Sequence, residues 1–372
     1  MAKYRFDQVA RECRTTFKGD KTKVPIVGLE HIVPNEMLVK DFEVDTENTF
    51  TKSFKQGQIL FGRRRAYQQK AGVAQFDGIC SGDITVIEAI PGKIEPDLLP
   101  FIVQNEQFFE HAVQGSAGSL SPRVKWEHLA SYEIELSTME EQRILAEKLW
   151  SAYRLKESYK KLLVATDEMV KSQFIEMFGE LNTTPVGNYI MDSFPGEWGK
   201  EDKGGTGIKV IRTTNFTNSG KLNLSEVVTR SIEERKVQKK QIQKYDTILE
   251  KSGGTADKPV GRVVLFEEDE QYLCNNFTQV LRFKDINPQF AFYALFYFYQ
   301  TNKTAIRSMG SKTTGIQNLN MSKYLDIGIP DADKIEQRLF VSIAEQADKS
   351  KFELRKSIEA IDQVIKSLIN NQ

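Results

Sequence analysis

The sequence repeats itself, and this limits the possible fold more than any single motif does. Pro25-Ile26-Val27-Gly28-Leu29-Glu30-His31-Ile32 is echoed by Lys209-Val210-Ile211-Arg212-Thr213-Thr214-Asn215-Phe216, and Gly57-Gln58-Ile59-Leu60 by Asp246-Thr247-Ile248-Leu249. The string from Cys80 to Ile87 (CSGDITVI) is echoed by that from Cys274 to Leu281 (CNNFTQVL), and Glu141-Gln142-Arg143 by Glu336-Gln337-Arg338. The separation between partners grows slowly and in one direction only along the chain. Two copies that have gained small insertions in surface loops behave this way, whereas chance matches would scatter. A chain of 372 residues has room for two such units, each with its own core.

Each copy divides into a mixed part and a long helix. Short β-branched or apolar runs separated by turn residues predict strands at 26–29, 58–61, 84–87 and 134–136 in the first copy. The second copy offers 210–212, 247–249, 261–266, 279–283 and 325–329. These suit a small twisted sheet or curled barrel, with a helix between the later strands at 100–114 and 289–309. From 140 to 178 there is neither proline nor glycine, and Gly179 follows as a helix stop. Leu145, Leu149, Ala152, Tyr159, Leu163, Val170 and Met177 recur near a 3.5-residue spacing, interrupted by Lys156, Thr166 and Gln173. A second helix over 335–369 carries Phe340, Ile343, Ala347, Leu354, Ile358, Ile361, Ile365 and Leu368, with a stutter near 350–354. Such narrow stripes predict a two-stranded coiled coil. At 1.5 Å per residue the helices would be roughly 58 and 52 Å long. The fold expected is therefore α+β: two small mixed α/β domains separated by a pair of long antiparallel coiled-coil helices, as a tandem internal repeat. The parts fall at 1–138, 139–181, 182–333 and 334–372.

Composition narrows the setting. With 40% hydrophobic and 27% charged residues the chain reads as globular, neither disordered nor membrane-embedded. The apolar run at 290–299 is about half of what spans a bilayer, so it predicts a buried helix and no membrane partner. Cys13, Cys80 and Cys274 are odd in number and far apart, which argues against a disulfide framework and for a reducing, cytoplasmic location. The start of the sequence has no apolar signal-peptide core. A formal net charge of +0 gives no global nucleic-acid signal, although an acidic scaffold can mask basic patches confined to particular surfaces.

Catalytic patterns are missing. An adenine methyltransferase needs an Asn/Asp-Pro-Pro-Tyr/Phe loop, but Asn287-Pro288 is followed by Gln289. The phosphate-cradling Gly-x-x-x-x-Gly-Lys-Ser/Thr string does not occur, and Gly310-Ser311-Lys312-Thr313-Thr314-Gly315 has the wrong spacing. Pro96-Asp97 lacks the Glu-x-Lys of a nuclease centre, and His31, His111 and His128 are not spaced as metal ligands. No catalytic residue, metal or cofactor is expected, and the chain reads as a binding module.

What remains is a set of polar loops. Arg63, Arg64, Arg65, Tyr67 and Lys70 leave the end of a predicted strand and suit phosphate contacts and bidentate reading of guanine. The competing reading is a solvated basic turn. Ser119, Ser121, Arg123 and Lys125 form a second loop, otherwise a flexible connector. In the second copy Lys251, Ser252, Gly253, Gly254, Thr255 and Lys258 correspond to the arginine loop, and Lys312, Thr313, Thr314, Gln317 and Asn318 to the later one. The amides can pair with adenine edges, or cap local backbone. Corresponding loops with different residues fit one scaffold reading two different DNA half-sites. The basic run from Arg235 to Lys240 reads more simply as a solvated helix face, and Arg154, Lys160 and Lys161 as either solvent-facing or docking a partner.

These strings resemble a known family, the specificity subunits of type I restriction-modification systems. The resemblance is carried by Met139-Glu140-Glu141-Gln142-Arg143 and its echo Ile335-Glu336-Gln337-Arg338, and by the helix end from Lys171 to Gly179. Lys251-Ser252-Gly253-Gly254-Thr255 and Gly315-Ile316-Gln317-Asn318-Leu319 carry it too. It spans essentially the whole chain. It implies two target recognition domains held apart by conserved spacer helices, reading a bipartite double-stranded DNA sequence with an unspecified gap. It also implies assembly with two modification subunits, which carry S-adenosylmethionine and methylate adenine N6, and with restriction subunits, which carry ATPase and nuclease. Other readings are a specificity subunit of a related two-subunit system, a solitary specificity-like protein without an active complex, and a coiled-coil adaptor that binds proteins.

Overall fold

A computed structural model of the chain describes residues 2–255, 257–313 and 316–370, with Lys312 and Thr313 described as strand backbone. It divides into two compact units, Met1–Leu162 with Glu353–Gln372 and Leu163–Phe352. The division falls inside both long helices, Met139–Phe178 and Lys334–Asn370, so each unit owns one half of each helix.

The first unit is built on a five-stranded sheet with Ile59–Gly62 at its centre, between Ile84–Ala89 and Ala71–Ala74. Leu60 faces Val86 across one antiparallel ladder and Gly72 across the other. A smaller three-stranded sheet joins Ile26–Val27, Gly78–Cys80 and Lys52–Phe54. Ala2–Arg5, which carries no strand pattern of its own, pairs with Glu133–Leu136 immediately before the long helix. The helix expected at 100–114 is two: Leu99–Val103 and Glu106–Gln114. Asn105 separates them, because its side chain accepts from Gln107 N and caps the second helix.

The second unit repeats the plan. Thr247–Glu250 is central, between Thr278–Phe283 and Val263–Leu265, with Ile248 facing Val280 and Val264. Pro288–Thr301 takes up the apolar run as a buried helix, capped by Asn287. It stops at Asn302, whose backbone (φ −116°, ψ 42°) leaves the helical region, and Lys303–Ser308 follows as a separate turn. The expected strand at 325–329 shrinks to Gly328–Pro330, since Asn320 caps a short helix over Met321–Leu325.

In each unit the two long helices run antiparallel. Within the first, Ala146, Leu149 and Tyr153 enter the core alongside Ile365, Leu368 and Ile369, and Lys156 pairs with Asp362 at 2.5 Å. Within the second, Phe174 and Phe178 meet Phe340 and Phe290 at ring separations of 4.9–5.8 Å, except for the longer Phe290–Phe340 pair. The stutter near 350 has a chemical cause. Lys351 occupies a buried seam position and pairs with Asp167 at 2.6 Å and Asp348 at 2.8 Å. Asp348 also pairs with Lys221, which pairs with Glu267. A chain of charges thus ties a loop of the second unit to its helices.

The doubled Glu-Gln string now has a physical meaning. Glu141 closes a capping box with Thr138, and Glu336 closes the same box with Asp333. The next residue faces inward. Gln142 accepts from Glu95 N at 3.0 Å and donates to Ser137 O at 2.8 Å; Gln337 accepts from Asn287 N and donates to Ala332 O, both at 2.9 Å. Each buried amide fastens the helix start to the mixed part of its own unit.

Candidate nucleic-acid interface

The two loops of the first copy, far apart in sequence, lie side by side. Arg63 N donates to Asp83 O at 2.9 Å, Val124 N to Arg63 O at 3.0 Å and Arg65 N to Pro122 O at 2.8 Å. Arg64 and Arg123 face each other as an isolated bridge. The second copy builds the same joint: Lys251 N donates to Phe277 O at 2.9 Å and Leu319 N to Lys251 O at 2.8 Å. Ser252 there faces Asn318, and Gly253 faces Gln317. Arg63, Arg64 and Arg123 therefore occupy the places that Lys251, Ser252 and Asn318 hold in the other unit, and Asp83 the place of Phe277.

The side chains are unlike. In the first unit Arg64 Nε donates to Ser121 Oγ at 2.6 Å, and Arg123 donates to Asp83 through Nε at 2.6 Å and Nη2 at 3.3 Å. The hydrogen bond from Arg123, with the nearby charges of Arg64 and Arg63, holds the Asp83 carboxyl below the usual carboxylate range despite partial burial. Among the described residues, the buried Nε atoms of Arg63 and Arg65 have no hydrogen-bond partner. Arg65 also sits in the left-handed region (φ 54°), which costs on the order of 1 kcal/mol for a non-glycine residue. Tyr67 is exposed, as are Ser119 and Lys125. Lys70 Nζ donates one of its three hydrogens to Leu29 O at 2.6 Å and so braces the loop.

In the second unit Ser252 Oγ donates to Asn318 Oδ1 at 2.7 Å. Lys251 is half-buried, and that burial lowers its pKa from the ordinary lysine value. Gly254 has φ +66°, and a β-carbon there would stand 2.8 Å from Val260 N, so the turn requires glycine. Thr255 N then donates to Lys258 O at 2.7 Å, closing the turn. Gln317 lies in the strand Ile316–Leu319 opposite Gly253. Thr314 and Gly315 lie outside the described residues.

Several residues find local work. Lys236 and Lys240, in the basic run, pair with Glu197 at 3.3 and 2.9 Å. Lys160 pairs with Glu36 at 2.6 Å and Glu157 at 3.0 Å. His111 and His128 stack at 4.2 Å, each ring Nε2 lying 2.8 Å from the carbonyl oxygen of the other residue. Cys13, Cys80 and Cys274 are all free thiols. Among the described residues no group of three or more potential ligands is arranged to hold a metal, and no helix is long and apolar enough to cross a membrane. Sequence reasoning missed Asp83. Its only signal was the alignment of Cys80-Ser81-Gly82-Asp83 with Cys274-Asn275-Asn276-Phe277.

The geometry defines a class: a duplicated protein, each of whose two mixed units presents paired loops and packs against its own antiparallel pair of helix halves. Residues 194–363 match the family model of the type I restriction modification DNA specificity domain. No curated protein matches the sequence. Among solved structures, the S subunit of a type I restriction-modification system from M. genitalium is similar at a TM-score of 0.59 and 13% identity, over 99% of this chain and 94% of that one. A chain from a study of complex assembly and conformational transition of the type I R-M system is similar at a TM-score of 0.59 and 14% identity, over 99% and 96%. The likenesses carry the fold of the whole chain, and the family model carries its second half.

Proposed function

We propose that this chain reads a bipartite double-stranded DNA target for a type I restriction-modification complex, with 1–138 and 182–333 as its target recognition domains and 139–181 and 334–372 as the spacer. One observation supports this most directly: the same backbone joint carries arginines and a carboxylate in one unit and a hydroxyl, an amide and glycines in the other. A scaffold kept constant while its reading side chains differ is what two unlike half-sites require.

In this reading Arg63, Arg64, Arg65, Tyr67, Ser119, Ser121, Arg123 and Lys125 contact one half-site. Lys251, Ser252, Gly253, Gly254, Thr255, Lys258, Lys312, Thr313, Thr314, Gln317 and Asn318 contact the other. Lys70 supports the first loop from behind. The chain has no catalytic role of its own and needs no cofactor. Two modification subunits supply methylation of adenine N6, restriction subunits supply ATPase and nuclease, and the complex works in the cytoplasm.

The test is co-expression with the modification subunit followed by genome-wide mapping of N6-methyladenine. A bipartite methylated motif is expected. Replacing Arg63, Arg64 and Arg65 by alanine should degrade one half of it, and replacing Ser252 and Asn318 the other half. Deleting one heptad from each long helix should change the gap alone. A stable complex that methylates nothing, or loop variants that degrade both halves equally, would refute the proposal.

A further inference from the structure

Asp83 belongs to neither basic loop, yet it holds both. Arg123 donates to it through Nε and Nη2, and Arg64 Nη1 stands 3.5 Å from its Oδ2, while Ser121 Oγ fixes Arg64 from the other side. A guanidinium carries five N–H donors in a rigid plane. Arg123 uses its Nε edge on the carboxylate, which leaves the opposite edge, formed by Nη1 and the second Nη2 hydrogen, for a ligand. The side chain is 44% exposed, against 21% for Asp83. The carboxylate is thus covered and the cation presented. Two adjacent N–H groups on one edge match O6 and N7 of guanine in the major groove.

We propose that Asp83 is a specificity-determining positioning residue: it presents Arg123, with Arg64 beside it, so that the half-site read by the first unit contains an obligatory guanine. This rests on the DNA-reading function above. The physical gain is preorganisation, because an arginine already held in its reading pose loses less rotamer freedom on binding. The carboxylate also discriminates. If Arg123 swings away to follow a wrong base, Asp83 loses its hydrogen-bonded partner and keeps only the longer contact with Arg64 against the phosphate field. The second unit lacks this device. Phe277 stands at the position of Asp83, with Ser252 and Asn318 in place of the arginines, so the guanine requirement is confined to one half-site.

Methylome mapping of the assembled complex tests this. With Asp83→Asn, a near-isosteric change, the wild-type guanine position in one half-site should relax, methylation at sites with another base there rising about tenfold relative to the cognate site. The other half-site and the gap should keep their stringency. Arg123→Lys keeps the charge and loses the fork, and should relax the same position. The inference is overturned if the wild-type motif has no required guanine in the affected half, or if Asp83→Asn leaves its stringency unchanged. It also fails if Asp83→Asn abolishes all methylation while Arg123→Lys leaves the motif intact, since Asp83 would then be merely structural. A wild-type complex that methylates nothing defeats the underlying function and this inference with it.

Discussion

Replacing Gln337 by alanine should destabilise the second unit specifically. The side chain is only 6% exposed and satisfies two backbone groups at once, Asn287 N and Ala332 O, each at 2.9 Å. Alanine removes both hydrogen bonds, each worth about 1 kcal/mol net, and strands a backbone N–H whose desolvation costs about 1–3 kcal/mol. Asn287 is also the cap of Pro288–Thr301, the helix that carries Phe290 into the core. The total is about 3–5 kcal/mol, a large part of the ~5–15 kcal/mol that holds a domain together. In a unit of this size that lowers the melting temperature by roughly 6–20 °C. The measurement is thermal or urea unfolding of the full chain, followed by amide exchange so that the two units are resolved. Asn287 N–H should lose protection, while Glu95 N–H in the first unit keeps it. Gln142→Ala should give the mirror result through Glu95 and Ser137. A loss below about 0.5 kcal/mol for both variants, within the range of an ordinary surface change, would refute the claim that these amides fasten helix to domain.

Two further outcomes follow from the packing. Gly196→Ala places a β-carbon 2.0 Å from Asn275 O and 2.3 Å from Cys274 O, both rigid backbone, whereas one on Gly82 meets open space. The first variant should lose several kcal/mol or fail to express, the second should melt like the parent, and equal behaviour of the two would contradict the structure. Asp348 is the second case: burial raises its pKa, but Lys221 and Lys351 outweigh that and hold it below the ordinary aspartate value. A carboxylate depressed on folding contributes stability in full above its unfolded pKa of about 3.9, and loses it as pH falls through the folded value. Urea midpoints of the second unit should therefore drop below about pH 4, and Asp348→Asn should flatten that part of the profile. An unchanged profile would mean that the charge chain contributes nothing.

Much of this protein was legible along one dimension. Duplication, strand order and the two long helices follow from local regularities: a string that recurs, an apolar stripe near 3.5 residues, a stop at Gly179. Their physical basis is hydrogen bonding within the backbone and burial of one face, and both leave a period in the sequence. The candidate loops were visible as cations, hydroxyls and amides at strand ends. Where helices broke, the sequence was less plain, because Asn105 and Asn302 act through cap geometry that neither pattern nor propensity shows.

Tertiary structure decided the rest. It brought Arg64 against Arg123 and Ser252 against Asn318, pairings between segments with no common period. It turned Lys70 inward onto a carbonyl and gave Lys236 and Lys240 to Glu197, so three cations of a basic-looking sequence are already engaged. It made the seam-breaking Lys351 a buried charge with two carboxylate partners. Asp83 shows the limit most plainly. A single aspartate after a Ser-Gly turn reads as turn chemistry, and only the crossing of two loops over it creates a cradle for two arginines. A side chain's partner is set by which surfaces meet, and residues distant in sequence meet through the packing of whole sheets rather than through any local string.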